Sequence, residues 1–281
     1  LKTFENPSDI QALSRKWRKA GKTIGFVPTM GALHPGHLEL VKASNRENDK
    51  TVVSIYVNPI QFGPQEDFHR YPRTLEADLD LLKGEKVGAV FTPNNRTMYP
   101  KGFATQVSVS GSLVANLCAP FRPGHFEGVA TVVVKLVNAV EPTRLYLGQK
   151  DAQQAAILRQ VLKDLDLGLE TVICPIVRES DGFAMSSRNK NLSLEGRATA
   201  PVLYRALKVG KSIVDLGETD TDKVLEEIKK VIQDERSVKI QYLEAVDLDS
   251  LETLRKVKQG KTLIALAAHL DNVRLIDNIV V

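Results

Sequence analysis

The first two-thirds of the chain alternates short β-branched runs with stretches of helical period, and that alternation restricts the fold more than any other feature. Residues 23–27, 51–57, 87–92, 144–148 and 171–177 read as strands. Between them, residues 36–48, 74–83, 126–140 and 151–165 carry apolar side chains three and four apart, as in Leu75, Leu79 and Leu82, and read as helices. A series of this kind closes its backbone hydrogen bonds as a mostly parallel α/β sheet with helices on both faces, because parallel neighbours need a long crossover between them. Such sheets bind ligands beyond the carboxyl ends of their strands.

The pattern changes after Val177. A polar segment, 178–193, leads into helical stretches at 195–216 and 222–233 and then into strand-like 238–246 and 262–270. The expectation is two domains: 1–176, the parallel-sheet domain, and 177–281, a smaller α+β domain, with the boundary near Pro175 to Val177. At 281 residues and 43% hydrophobic, the chain has enough apolar material for both cores.

Charge and cysteine usage exclude several classes of function. Lys and Arg number 38 against 34 Asp and Glu, a net charge of +4, which is too small for a dedicated nucleic-acid binder. The dense basic run at 15–19 ends a helical stretch, where cations suit the negative end of the helix dipole. Cys118 and Cys174 are far apart and lack zinc-type spacing, so neither a disulfide framework nor a metal centre is indicated. The first residues have no apolar signal core, and the run 129–140 is interrupted by Lys135 and too short to span a bilayer. A protein of the cytoplasm, away from the membrane, is expected.

Three segments carry the chemistry. PTMGALHPGHL, 28–38, leaves the first strand and opens a helix. Gly31 and Gly36 permit tight turns, the helix start is suited to phosphate through its N–H groups, and His34 and His37 lie three apart, close enough to face one site. An isolated HxxH is more often a structural turn, but strand, glycines and helix start together make a ligand site the better reading. GQKD, 148–151, lies at another strand-to-helix junction, where Lys150 could reach a phosphate and Asp151 could cap a helix or bind a ribose hydroxyl. DGFAMSSRN, 181–189, is a donor-rich loop whose Ser186, Ser187 and Arg188 could wrap a triphosphate. Gln61, after the second strand, and Gln154, three residues beyond Asp151, can hold hydroxyl and carboxylate groups. Arg122 is a candidate anion contact, and His125 is assigned no catalysis. Asp78 and Asp80, two apart on a helix, read as a solvated face.

These residues resemble the pantothenate synthetase family. PTMGALHPGH at 28–37, VNPIQF at 57–62, YPRTLEADLDLL at 71–82, FRPGHFEGVATVV at 121–133, GQKDAQQ at 148–154 and DGFAMSSRN at 181–189 all follow the family's order. The resemblance implies a Rossmann-like nucleotide-binding domain, a smaller C-terminal lid and a homodimer. It implies an ATP-dependent ligase that activates pantoate as an acyl adenylate, releases pyrophosphate, and passes the acyl group to β-alanine with release of AMP. Mg²⁺ would be carried on the ATP phosphates, with no protein metal site.

Carried over by position, Met30, Gly31, Ala32, Leu33, His34, Pro35, Gly36 and His37 would contact ATP. So would Gly148, Gln149, Lys150, Asp151, Val177, Met185, Ser186, Ser187 and Arg188. Gln61 and Gln154 would contact substrate. His37, assisted by His34, would act on the transferring phosphate, and Lys150, Ser186, Ser187 and Arg188 would stabilise its charge. Gln149 stands where many members have Glu, which touches a charge-dependent role of that position alone, and Ile60 stands where Thr is common. The rival readings are a nucleotidyltransferase of the same superfamily, which would keep the nucleotide on its product, and a nucleotide-binding regulator without turnover.

Overall fold

The computed structural model describes residues 1–64 and 66–281. The chain divides into two compact units, the first made of Leu1–Val109, Arg122–Gln149 and Ile157–Pro175, the second of Ser110–Phe121, Lys150–Ala156 and Ile176–Val281.

The first unit is built on strands β1 (Thr3–Phe4), β2 (Ile24–Thr29), β3 (Lys50–Ile55), β4 (Ala89–Phe91), β5 (Arg144–Gly148) and β6 (Glu170–Cys174). They form one sheet in the order β1-β4-β3-β2-β5-β6, with every pairing parallel. Its strands are apolar runs because helices cover them: Ile24, Phe26, Val27, Val52, Val53, Val90 and Phe91 are completely buried. Among the helices are α1 (Pro7–Lys19), α2 (Pro35–Glu47), α3 (Leu75–Lys83), α4 (Asn95–Met98) and α5 (His125–Val140). Helix α2 packs on β2, β3, β5 and β6, while α1 and α5 pack together and on β2. Helix α6 (Ala152–Asp164) begins in the segment assigned to the second unit and ends in the first.

The order of the strands locates the ligand crevice. From β2 the chain runs outward through β3 and β4 in one direction, and later through β5 and β6 in the other, so β2 and β5 flank the topological switch point.

The second unit contains α7 (Leu194–Thr199), α8 (Val202–Asp215), α9 (Thr221–Gln233) and an antiparallel sheet of β7 (Lys239–Asp247), β8 (Thr262–Leu270) and β9 (Val273–Val280). Leu203, Ala206 and Leu207 of α8 join Val224 and Ile228 of α9 and Ile264 and Leu266 of β8 in its core. The single helical stretch expected at 195–216 is two helices. Pro201, which has no N–H to donate, occupies the cap position of α8. Strand β9 adds to the strands expected from the sequence; it is joined to β8 by the two-residue turn Asp271–Asn272, both left-handed with φ of 51° and 61°, as a tight hairpin requires.

Candidate active site

Strand register brings the first two motifs to one edge. Thr29 of β2 pairs with Ile55 of β3, and the β2–β5 register, Gly25 with Arg144 and Phe26 with Leu145, puts the end of β5 at Gly148 level with Thr29. The PTMGALH segment and the GQK segment therefore leave neighbouring strands on the two sides of the switch point.

The turn after β2 is held from within. Gly31 and Ala32 are left-handed, with φ of 82° and 50°. The Gly31 N–H donates to Thr29 Oγ1 at 3.2 Å, the Ala32 N–H to Asp78 Oδ2 at 2.9 Å and the Leu33 N–H to Asp78 Oδ1 at 2.8 Å. Asp78 is 2% exposed. The reading of Asp78 as part of a solvated helix face is thus corrected: Asp80 pairs with Lys83 at the surface, while Asp78, two residues earlier on α3, points inward.

His34 caps α2 from an extended conformation. Its Nδ1 accepts the Gly36 N–H at 3.1 Å, while His37 Nδ1 accepts the His34 N–H at 3.4 Å. The His34 carbonyl takes the His37 and Leu38 N–H groups at 2.8 and 3.2 Å. The expectation that the helix start offers unpaired N–H groups is corrected accordingly, since a reciprocal box formed by the two histidines satisfies them. With each Nδ1 accepting, each ring donates from Nε2. The rings lie 4.0 Å apart, tilted by 39°.

Gln61 is buried at 7% exposure in the short turn Pro59–Gln61 that follows β3. Its Nε2 reaches Met30 Sδ at 3.3 Å, so the second-strand motif and the first motif meet. Its Oε1 accepts from Asn58 Nδ2 at 2.9 Å, and Asn58 Oδ1 accepts from the Tyr99 hydroxyl at 2.6 Å. His125 Nδ1 lies 2.8 Å from the Gln61 carbonyl, and Arg122 lies 2.7 Å from His125 Nε2. A guanidinium only donates, so Nε2 accepts and the ring proton sits on Nδ1, pointing at Gln61. Arg122 also forks onto Glu66 at 2.6 and 2.7 Å; burial, the largest single influence, pushes the Glu66 carboxyl up, but the hydrogen bonds and charge of Arg122, with smaller contributions from its other neighbours, together hold it below its ordinary value. Arg122, read as an anion contact, is thus engaged by Glu66, and His125 serves to brace Gln61. The supporting parts played by Asn58, Tyr99 and His125 lie outside the sequence expectation, although Asn58 and His125 fall within the motifs VNPIQF and FRPGHFEGVATVV.

In the second unit the DGFAMSSRN loop is stapled at its base. The Met185 N–H donates to the Val177 carbonyl at 3.0 Å, and Arg178 bridges to Ala184. Arg178 stacks 3.6 Å over the Tyr204 ring and donates to both oxygens of Asp277 at 2.7 and 2.9 Å. Arg197 grips Asp181 and Glu179 at 2.7 and 2.6 Å, and its hydrogen bond holds the Asp181 carboxyl below its ordinary value. Ser186 Oγ accepts the Arg188 N–H at 3.3 Å. Asn278, next to Asp277 on β9, donates to the Lys150 carbonyl at 3.0 Å, so one strand anchors both the Lys150 backbone and the base of the serine loop. Gln153 is buried and ties Cys118, Leu113 and Asn116, while its neighbour Gln154 is half-buried.

The first unit is a doubly wound α/β domain whose switch point carries paired imidazole donors and a buried amide, the layout of a nucleotide-type ligand site. The family model described as pantoate-beta-alanine ligase matches residues 2–280. The chain is 52% identical over 273 residues to a pantothenate synthetase of Caldicellulosiruptor bescii, covering 97% of this chain and 96% of that one. It is 49% identical over 281 residues to one from Acetivibrio thermocellus, covering 100% and 99%. Among solved structures, pantothenate synthetase from Thermus thermophilus superposes with a TM-score of 0.94 at 42% identity, covering 99% of both chains. Pantoate-beta-alanine ligase from Francisella tularensis, complexed with beta-gamma ATP and beta-alanine, does so with 0.82 at 33% identity, covering 100% and 97%. The chain belongs to the pantoate–β-alanine ligase family of enzymes.

Proposed function

We propose that this chain condenses pantoate with β-alanine to pantothenate at the expense of ATP, through a pantoyl adenylate. A carboxylate does not acylate an amine in water, because its leaving group would be oxide. In the proposed first step a pantoate carboxylate oxygen attacks the α-phosphorus of ATP, and the bond to pyrophosphate breaks. Nε2–H of His37, with His34 beside it, donates to the phosphate oxygens as they gain charge, and Lys150, Ser186, Ser187 and Arg188 take up charge on the departing pyrophosphate. In the second step the β-alanine amine attacks the acyl carbon, AMP leaves with the bridging oxygen, and the amine loses its proton. Gln61 and Gln154 hold pantoate as neutral amides.

The observation that carries this reading is the reciprocal histidine box at the switch point, which turns both Nδ1 atoms onto the backbone and leaves Nε2–H as the donor of each ring. Family membership across residues 2–280 supports it, as does the likeness to the Francisella ligase, whose structure is a complex with beta-gamma ATP and beta-alanine. Among the described residues no group of three or more His, Cys, Asp or Glu could hold a metal ion. Mg²⁺ in this reading rides on the ATP phosphates, neutralising their charge and keeping its waters. Residues 177–281 as a lid that shields the mixed anhydride from water, a homodimer, and the cytoplasm as the compartment belong to the same proposal. Both cysteines are free, and no described helix is long and apolar enough to cross a membrane.

The test is an assay of the purified protein with ATP, Mg²⁺ and pantoate, with and without β-alanine. Pyrophosphate released only with pantoate, and AMP and pantothenate only once β-alanine is added, is the expected pattern. A nucleotide retained on the product, or ATP binding without turnover, would overturn it.

A further inference from the structure

We propose that Asp78 is a positioning residue for the histidine pair, an inference that rests on the function assigned to His34 and His37 above. Two successive backbone N–H groups, those of Ala32 and Leu33, point to one carboxylate as they do to an anion in a nest, while the Gly31 N–H before them is taken by Thr29 Oγ1. Here the anion is supplied by the protein. The two oxygens of Asp78 take the Ala32 and Leu33 N–H groups at 2.9 and 2.8 Å, Oδ1 also accepts from Thr74 Oγ1 at 3.2 Å, and the group is 2% exposed.

Two features show that the carboxylate shapes the turn. Ala32 has φ of 50°, a conformation that disfavours a residue with a Cβ and is kept only where surrounding bonds impose it. A Cβ on Gly31 would lie 3.0 Å from Asp78 Oδ2 and 3.1 Å from Ile55 Cγ2, so the backbone is drawn close against the acid. His34 follows Leu33 directly, and its cap geometry fixes which ring nitrogen faces the backbone and which is left as donor. Asp78 therefore sets the direction of both Nε2–H groups without touching substrate. The same geometry means that phosphate meets imidazoles at this turn, while the amides of Gly31, Ala32 and Leu33 stay bonded inside the protein.

The test compares the native protein with Asp78→Asn and with Asp78→Asn/Ala32→Gly. Asn keeps the size but turns one acceptor into a donor facing an N–H. Long-range proton–nitrogen NMR reads the ring tautomers of His34 and His37, and hydrogen exchange reads the Ala32 and Leu33 amides; neither needs a substrate. In the native protein both rings carry the proton on Nε2 and both amides exchange slowly. In folded Asp78→Asn the tautomers become mixed, the two amides exchange at least about tenfold faster, and kcat for pantoate-dependent pyrophosphate release falls roughly tenfold to a hundredfold. The KM for pantoate stays within about threefold. Ala32→Gly, which adopts the left-handed turn without strain, recovers several-fold of the lost kcat. Unchanged tautomers and exchange in folded Asp78→Asn overturn the inference. Should that variant not fold, fast exchange at Ala32 and Leu33 or Nδ1–H rings in the native protein overturn it equally. Absence of pantoate-dependent pyrophosphate in the native protein counts against the assigned function alone.

Discussion

The backbone N–H of His34 donates to the Nδ1 of His37 at 3.4 Å, so the second histidine of the HPGH segment closes the turn that the first one opens. The two residues cap α2 through Nδ1, and under the proposed function they serve the ligand through Nε2, so the structural and chemical roles reside on different ring nitrogens.

That separation is testable by His34→Asn. Asn is among the best N-cap residues and can accept the Gly36 N–H in place of Nδ1, yet it offers no group where Nε2 stood. Stability is expected to stay within about 1 kcal/mol of the native protein, while pyrophosphate release falls by roughly a hundredfold or more. A denaturant melt and a turnover assay on the same sample check both.

Gly128 of α5 packs directly against the backbone of Ile60 and Gln61. A Cβ there would lie 2.5 Å from the Ile60 carbonyl oxygen and 2.6 and 2.7 Å from Gln61 Cα and N, all backbone atoms that cannot swing aside. Gly128→Ala should cost about 1–3 kcal/mol by overpacking, and it should raise the KM for pantoate by displacing Gln61. Urea unfolding and steady-state kinetics measure the two effects.

Arg178 and Asp277 make a forked, largely buried pair, with 16% and 2% of their side chains exposed. Arg178→Ala leaves the Asp277 carboxylate buried without that partner and is expected to cost about 3 kcal/mol. Arg178→Lys restores a positive charge but neither the fork nor the stacking on Tyr204, so it should recover only part of the loss. Because the pair anchors the loop of Ser186, Ser187 and Arg188, both variants should weaken ATP binding, measured by calorimetry.

Asp49 ties the starts of β2 and β3 by accepting the Thr23 N–H, the Thr23 hydroxyl and Lys22 Nζ. The Thr23 backbone bond, aided by those side chains, draws its carboxyl from an ordinary 3.8 down to about 2. A folded value below the unfolded one means stability present above pH 3.8 and lost as pH falls toward 2. Urea midpoints of the native protein and Asp49→Asn should therefore differ by a constant amount above about pH 5, draw together as pH falls further, and converge only below about pH 2.

Much of this was legible from residues alone, for identifiable reasons. Strands such as 144–148 stand out because a parallel sheet covered on both faces needs unbroken apolar runs, and the strand-glycine-helix junction at 28–38 is visible because its parts are contiguous. What escaped depends on distant partners. Asp78 meets Ala32 and Leu33 from more than forty residues away, and helix spacing says which residues share a face without saying which face turns inward. Strand β9 places Asp277 and Asn278 at adjacent buried positions, which breaks the apolar–polar alternation by which a strand is recognised. The helix break at Pro201 was, by contrast, written plainly in the sequence.

The proposed activation of pantoate on the α-phosphorus of ATP leaves its mark on the fate of the pantoate carboxylate oxygen. Pantoate labelled with ¹⁸O in the carboxylate is converted with ATP, Mg²⁺ and β-alanine, and the nucleotide and phosphate products are analysed by mass spectrometry. Attack on the α-phosphorus gives AMP carrying one ¹⁸O atom on its phosphate, with unlabelled pyrophosphate. Unlabelled AMP, or ADP accompanied by label in inorganic phosphate, would contradict it.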